Sequence, residues 1–138
     1  MIYENNMCRA SRTLLIGAGP SSAQLIRETS AYCDAIVAAD GGFEAAKQAG
    51  VQVALVVGDM DSQQALPAGQ AVAHITDQET TDFQKCLAVC DADVFLGVGF
   101  LGGRLDHQLA GFSALLNEPR PVVLIDEVQL VFVVPQKF

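Results

Sequence analysis

Val53-Ala54-Leu55-Val56-Val57-Gly58-Asp59-Met60-Asp61-Ser62 runs five apolar residues into a glycine and a pair of carboxylates. The apolar run is short and uninterrupted, which reads as a strand buried on both faces. Strands of that kind belong to parallel sheets covered by helices on both sides. In such sheets ligands bind beyond the carboxyl ends of the strands, where Asp59 and Asp61 fall. With extended backbone between them, side chains at i and i+2 point to the same side, so both can face one ion or its water shell. Mg²⁺ prefers oxygen ligands and is often held by one or two carboxylates plus substrate phosphates. The plain alternative is a solvated acidic turn in which Ser62 forms a local cap.

Outward from this stretch, strands and helices alternate. The sequence predicts strands over 12–16, 35–39, 53–57, 71–75, 93–98, 121–125 and 128–134. Helices are expected from Ser21 or Ser22 to about Tyr32, over 43–49, from Thr80 or Thr81 to about Cys90, and over 104–116. Gly50 is a natural stop for the second helix. Alternation of this kind implies a three-layer, Rossmann-like α/β domain with a mostly parallel sheet flanked by helices on both faces. It occupies 12–138, behind a polar tail over 1–11. Asp40, Asp59, Asp61, Asp82 and Arg104 all fall at or beyond strand ends, so the fold should bring them to one edge. The last apolar stretch, Val128 to Val134, reads as a long edge strand that invites pairing and as a chain that should continue.

The 138 residues suffice for one domain with a real core. Apolar residues make up 51% of the chain and mean hydropathy is +0.31. Doubly buried strands explain part of this excess, and surface that covers a partner or second domain explains the rest. A net charge of −8 argues against a general nucleic-acid binder, although a metal ion can bring the positive charge a nucleotide needs. The sequence has no apolar run of the ~18 residues a membrane span needs and no signal peptide in its polar start. Cys8, Cys33, Cys86 and Cys90 contain no C-x-x-C pair and suit a reduced, cytoplasmic protein. Cys86 and Cys90, four apart on the expected helix, read as small core residues or as half of a metal site.

Three further motifs bear chemistry. Asp40-Gly41-Gly42 follows a strand, lets a ligand approach the backbone closely, and opens a helix whose free amides favour an anion; the alternative is a simple turn. Thr81-Asp82-Phe83-Gln84-Lys85 places an acid in a helix's first turn, where the dipole favours it, with Lys85 one turn on to pair with Asp82 or reach a phosphate. Gly102-Gly103-Arg104-Leu105-Asp106-His107 can cradle a phosphate with glycine amides and a forked guanidinium. His107 reads as a hydrogen-bonded structural group or a base, and His74 as structural. Gly17-Ala18-Gly19-Pro20 begins a dinucleotide fingerprint but lacks its third glycine. NAD binding and a tight strand-to-helix turn both remain open there.

Taken in order, these segments resemble the thiamine pyrophosphokinase family in its N-terminal, nucleotide-binding domain. The resemblance covers most of the chain. The sequence departs from the family at Phe43-Glu44, where Ala-Asn is usual, and at Met60, where Phe is common. The resemblance implies transfer of a pyrophosphoryl group from ATP to the hydroxyl of thiamine, releasing AMP, with Mg²⁺. It implies Asp59 and Asp61 as metal ligands, with Asp82 assisting directly or through water, and Lys85 and Arg104 as phosphate-binding groups. Asp40, Gly41 and Gly42 would face the nucleotide and the transferred group. Asp106 and His107 would shape the loop formed by Gly102 and Gly103, and Gln78 would be a further substrate contact. The family also implies a homodimer and a C-terminal β domain, absent from this sequence, that contributes to thiamine binding. A pyrophosphokinase for another small alcohol such as a pterin, or a noncatalytic nucleotide- or NAD-binding module, are the other readings.

Overall fold

The computed structural model describes residues 7–61 and 65–135. Ser62, with its expected capping role, and residues 1–6 of the expected tail lie outside the described residues. The elements are β1 (Cys8–Ile16), α1 (Ala23–Ser30), β2 (Ala35–Ala39), a 3-10 turn (Asp40–Gly42), α2 (Phe43–Ala49), β3 (Leu55–Gly58), β4 (Val72–His74), α3 (Asp82–Val89), β5 (Cys90–Val98), α4 (Leu105–Asn117), β6 (Val122–Ile125) and β7 (Leu130–Val131).

The strands form one sheet in the order β4-β3-β2-β1-β5-β6-β7, parallel except for β7. Period-two alternation sends β1 side chains to opposite cores. Leu14 and Ile16 pack with Ile26 of α1 and Phe43, Ala46 and Ala49 of α2. Leu15 packs with Phe83, Cys86 and Leu87 of α3 and Ala114 and Leu115 of α4. The result is the expected three-layer α/β fold.

Local signals explain where helices begin and end. The Ser22 hydroxyl accepts from Leu25 N at 3.0 Å and starts α1. Gly50, at φ +73°, closes α2. Thr81 and Gln84 form a reciprocal capping box on α3: the Thr81 hydroxyl accepts from Gln84 N at 3.2 Å, and the Gln84 carbonyl oxygen accepts from Thr81 N at 2.9 Å. Replacing Thr81 by Ala removes one acceptor from a helix that carries two candidate site residues. Thr81→Ala should therefore cost about 1 kcal/mol, read as a lower urea midpoint with an unchanged slope.

Several boundaries differ from the sequence reading, most of all those of β1, β5 and β7. β1 starts at Cys8 rather than residue 12, and β5 at Cys90 rather than residue 93, so α3 ends at Val89. The added segments are polar, and they pair with each other: Cys8↔Cys90, Arg9↔Asp91 and Ala10↔Ala92 are in register, and Arg9 forms an ion pair with Asp91. Cys90 is thus a strand residue and does not share a helix face with Cys86. Arg120 reinforces this junction by donating to Cys90 O at 2.6 Å and Leu87 O at 2.8 Å. The expected long strand over 128–134 is only Leu130–Val131, and it is antiparallel. The cause is Asp126, whose Oδ1 accepts from Val128 N and Gln129 N and doubles the chain back on β6.

Candidate active site

The carboxyl ends of β2 and β3 hold the best-organised polar group of the described residues. Asp40 follows directly on β2 and is buried. Its two oxygens are oriented by main-chain donors, Oδ1 by Gly41 N at 2.7 Å and Oδ2 by Met60 N at 3.0 Å. Gly58 must be glycine here for space: a Cβ would stand 2.8–3.0 Å from the Asp40 carboxyl.

Met60 corrects the expected geometry of the acidic pair. Its φ is +62°, so the backbone between Asp59 and Asp61 turns rather than extends. That turn aims Met60 N at Asp40 and lets Asp61 N donate to Asp59 Oδ1 at 3.1 Å. The two carboxylates are related by an Asx turn and not by the alternation of a strand. His74, at the end of neighbouring β4, donates from Nε2 to Asp59 O at 3.0 Å and fixes the loop from the other side. This agrees with a structural role for His74.

Electrostatics couple these acids. Burial raises the Asp40 pKa, and a hydrogen bond to Asp59 and the charges of Asp82 and Asp59 push it the same way, against the Gly41 amide. The Asp59 pKa is lowered, first by the Asp61 amide and further by hydrogen bonds involving Asp40, Asp61 and Gln78. Each of these acids therefore shapes its neighbour's affinity for a proton. Two neighbouring carboxyls with a third acid in range form a place where a cation is favoured. The donors are all oxygen, which matches a hard divalent ion. Among the described residues, no three His, Cys, Asp or Glu side chains form a ready-made metal cage. Asp40 and Asp59 are the closely coupled pair, Asp61 is exposed beside them, and Asp82 acts from the first turn of α3. Gln78, expected as a substrate contact, lies next to Asp59 and donates from Nε2 to Thr76 O at 3.0 Å.

Lys85 is only 6% exposed, yet no ion pair or side-chain hydrogen bond holds its ammonium among the described residues. It does not pair with Asp82. Its charge is felt by Asp77, whose pKa is lowered first by the Glu79 amide, then by the Thr80 hydroxyl and Lys85. The Asp77–Thr80 turn escaped the sequence reading. Its signal was an Asp followed three residues later by Thr before a helix, the pattern of an Asx turn. The Lys85 side chain is thus largely covered, and its charge, in range of Asp77, is available to an arriving anion.

The glycine-rich loop after β5 sits apart. β5 lies two strands from β2, about 10 Å along the sheet. The Arg104 side chain is 72% exposed and forks onto Asp106, with Nε to Oδ1 at 3.1 Å and Nη2 to Oδ2 at 2.6 Å. That pair lowers the Asp106 pKa. Gly102 N donates to Gln108 Oε1 at 2.7 Å, so this amide is already engaged. Gly103 and His107 are exposed. Among the described residues, no hydrogen bond or ion pair joins this loop to the acids.

Gly17 and Gly19 serve loop packing: Gly17 N donates to Val98 O and Gly19 N to Gly99 O, at 2.8 and 2.7 Å. Glu127 Oε1 accepts from Ser22 N at 3.0 Å, so a carboxylate already sits at the start of α1. These contacts fit the tight-turn reading of the Gly17-x-Gly19 motif. A shallow groove of about 700 Å³, lined by Phe43, Lys47, Gln52, Pro67 and Gln70 among others, opens at the other end of β3. Among the described residues, no acid lines it.

Comparison with known proteins follows the same lines. Residues 26–124 match the sequence family described as thiamin pyrophosphokinase, catalytic domain. A relative, thiamin pyrophosphokinase 1 of Caenorhabditis elegans, is 30% identical over 95 residues, covering 59% of this chain and 39% of that protein. The crystal structure of thiamin pyrophosphokinase from Geobacillus thermodenitrificans aligns with a TM-score of 0.68 at 25% identity, over 83% of this chain and 59% of that one. Thiamin pyrophosphokinase from Candida albicans aligns with a TM-score of 0.72 at 19% identity, over 89% and 60%, a likeness of fold. The chain thus spans less than two thirds of the length of each of these relatives.

Proposed function

The chain belongs to the thiamin pyrophosphokinase catalytic-domain family, and from that premise we propose that it is the nucleotide-binding part of an enzyme that transfers pyrophosphate from ATP to thiamine. The observation that carries this reading is Asp40, held by Gly41 N and Met60 N beside Asp59, with Asp82 and the largely covered Lys85 on neighbouring α3. Acids that favour a cation, with an ammonium available to an anion, are complementary to a metal-bound polyphosphate.

Asp59 and Asp61 would hold Mg²⁺, with Asp82 assisting directly or through water. The ion would supply neutralisation of phosphate charge. In the reaction, the thiamine hydroxyl oxygen forms a bond to the β-phosphorus while the bond from that phosphorus to the α–β bridging oxygen breaks. AMP leaves, and the hydroxyl proton passes to solvent or a phosphate oxygen. Lys85 offsets charge on phosphate oxygens, and Arg104 does so once its fork swings from Asp106 to the ligand. Gly41, Gly42, Gly102 and Gly103 let phosphates approach the main chain. Asp40 orients the Met60 amide and so the acidic turn, and Gln78 steadies Asp59. No strong base is needed when the transition state is loose and positioning dominates.

On the same reading, the full-length enzyme is a cytoplasmic homodimer. The cysteines are free, as in a reduced compartment.

The test is thermal stability with Mg²⁺ and a nonhydrolysable ATP analogue, beside NADH and a metal-free control. A ligand that binds only the folded state at about 100 times its Kd adds about 2.7 kcal/mol. In a chain of this size that is a rise in Tm on the order of 10 °C. The expected result is a Mg²⁺-dependent rise with the ATP analogue alone. A rise with NADH alone would replace this reading with a dinucleotide-binding one. Thiamine-dependent release of AMP, beside a pterin alcohol as acceptor, then identifies the acceptor.

A further inference from the structure

Two cysteines outside the candidate site stand together at the opposite edge of the sheet. Cys8 opens β1, Cys90 opens β5, and the two are in-register partners on adjacent parallel strands. Neighbouring strands lie about 4.8 Å apart, within the roughly 4.4–6.8 Å between Cα atoms that a disulfide requires. Partners in register point their side chains to the same face. Here that is the α3/α4 face, where Cys90 is part of the core and Cys8 packs against it. We infer that Cys8 and Cys90 form a reversible dithiol–disulfide pair that staples the start of β1 to the start of β5.

The two thiols differ in character. Cys8 is partly exposed, and a hydrogen bond from Cys90 lowers its pKa to about 7 against the opposing effect of burial. It therefore holds substantial thiolate at neutral pH, the form that attacks a disulfide. Cys90 is buried, and its pKa is raised by the bond it makes to Cys8 and by desolvation. Once Cys8 is capped, that bond to a thiolate disappears, and Cys90 is freed to act as the resolving thiol. The other cysteines are poor competitors. Cys86 is fully enclosed, and burial pushes the Cys33 thiol up to about 11.

The co-reactant is a low-molecular-weight disulfide such as oxidised glutathione. The Cys8 thiolate attacks one of its sulfurs, the S–S bond breaks, and one glutathione thiolate leaves. Cys90 then loses its proton, and its sulfur attacks Cys8 Sγ. The mixed disulfide breaks and the second glutathione leaves. Two electrons pass from the protein dithiol to the reagent, and the two thiol protons end on the two glutathione thiols. A bridge between adjacent strands is a short staple, and this one joins the amino ends of β1 and β5, the end of the sheet away from Asp59.

The experiment incubates the full chain with oxidised glutathione at neutral pH, quenches with acid, alkylates free thiols after unfolding, and maps peptides by mass spectrometry. The expected product has lost two hydrogens, its Cys8 and Cys90 peptides are linked, and Cys33 and Cys86 are alkylated. Cys90→Ser should trap glutathione on Cys8. A wild-type protein that keeps glutathione on Cys8 with Cys90 still alkylated would overturn the inference. So would a linked peptide that joins Cys8 to Cys33 or Cys86 in place of Cys90. The wild-type map decides the matter without reliance on the folding of any variant.

Discussion

Asp59→Asn should abolish the Mg²⁺-dependent stabilisation by an ATP analogue and lower thiamine-dependent AMP release by about 10²-fold or more, the scale for removing one preorganised electrostatic group. The fold should survive. The Asp59 main chain is held by His74, which the substitution leaves in place. Asn retains an oxygen to accept from Asp61 N, and its amide can donate to Asp40. What changes is charge. The pKa of Asp40 is raised in the folded state, so its contribution to stability is present below the ordinary carboxylate pKa and is lost as pH rises through the raised value. Removing the neighbouring carboxylate lessens that loss. The metal-free variant should therefore melt no lower than wild type at neutral pH while failing to respond to Mg²⁺ with the ATP analogue. This split separates a ligand-holding role from a structural one. Full activity in Asp59→Asn would sink the metal assignment, and a metal-free variant that melts far below wild type would make Asp59 a scaffold residue.

Much of this arrangement was legible in the sequence because it rests on local rules. The helix over 43–49 stopped at Gly50 as the pattern required, and Thr81 announced the start of α3. Doubly apolar strands implied a parallel sheet, and a parallel sheet places the ends of β2 and β3 side by side. What the sequence hid depends on contacts between distant segments. Arg9 and Asp91 look like loop residues until each is seen as the other's partner. Met60 bears no mark of its left-handed backbone, since a methionine at positive φ is uncommon and is held there by the Asp40 and Asp61 hydrogen bonds around it. The strand order itself decides that the acids cluster while the Arg104 loop lies across β1 from them. Motif order along the chain carries no information about that gap.

Gly99→Ala should be the most destabilising single-methyl change in the chain's central turn, costing about 2–5 kcal/mol. Two effects combine. Gly99 sits at φ +80°, where an L residue pays about 1–2 kcal/mol. Its added Cβ would also stand 2.4 Å from Gly17 O and 2.9 Å from Gly17 C, which are backbone atoms and cannot rotate away. Overpacking of that kind adds about 1–3 kcal/mol. Gly17 is itself tied in place by the bond from its N to Val98 O at 2.8 Å. Relief would require breaking the bond from Gly19 N to Gly99 O, which ties the loops after β1 and β5 together. Gly50→Ala is the matched control: it has a similar φ of +73° but nothing within 4 Å of its Cβ. It should show the conformational cost alone. Urea midpoints of the two variants isolate the contact: a clear excess loss in Gly99→Ala assigns it to the crowded junction of β1 and β5. Equal losses would mean that the two loops can part at little cost, and that the glycines there serve the turn and not the packing.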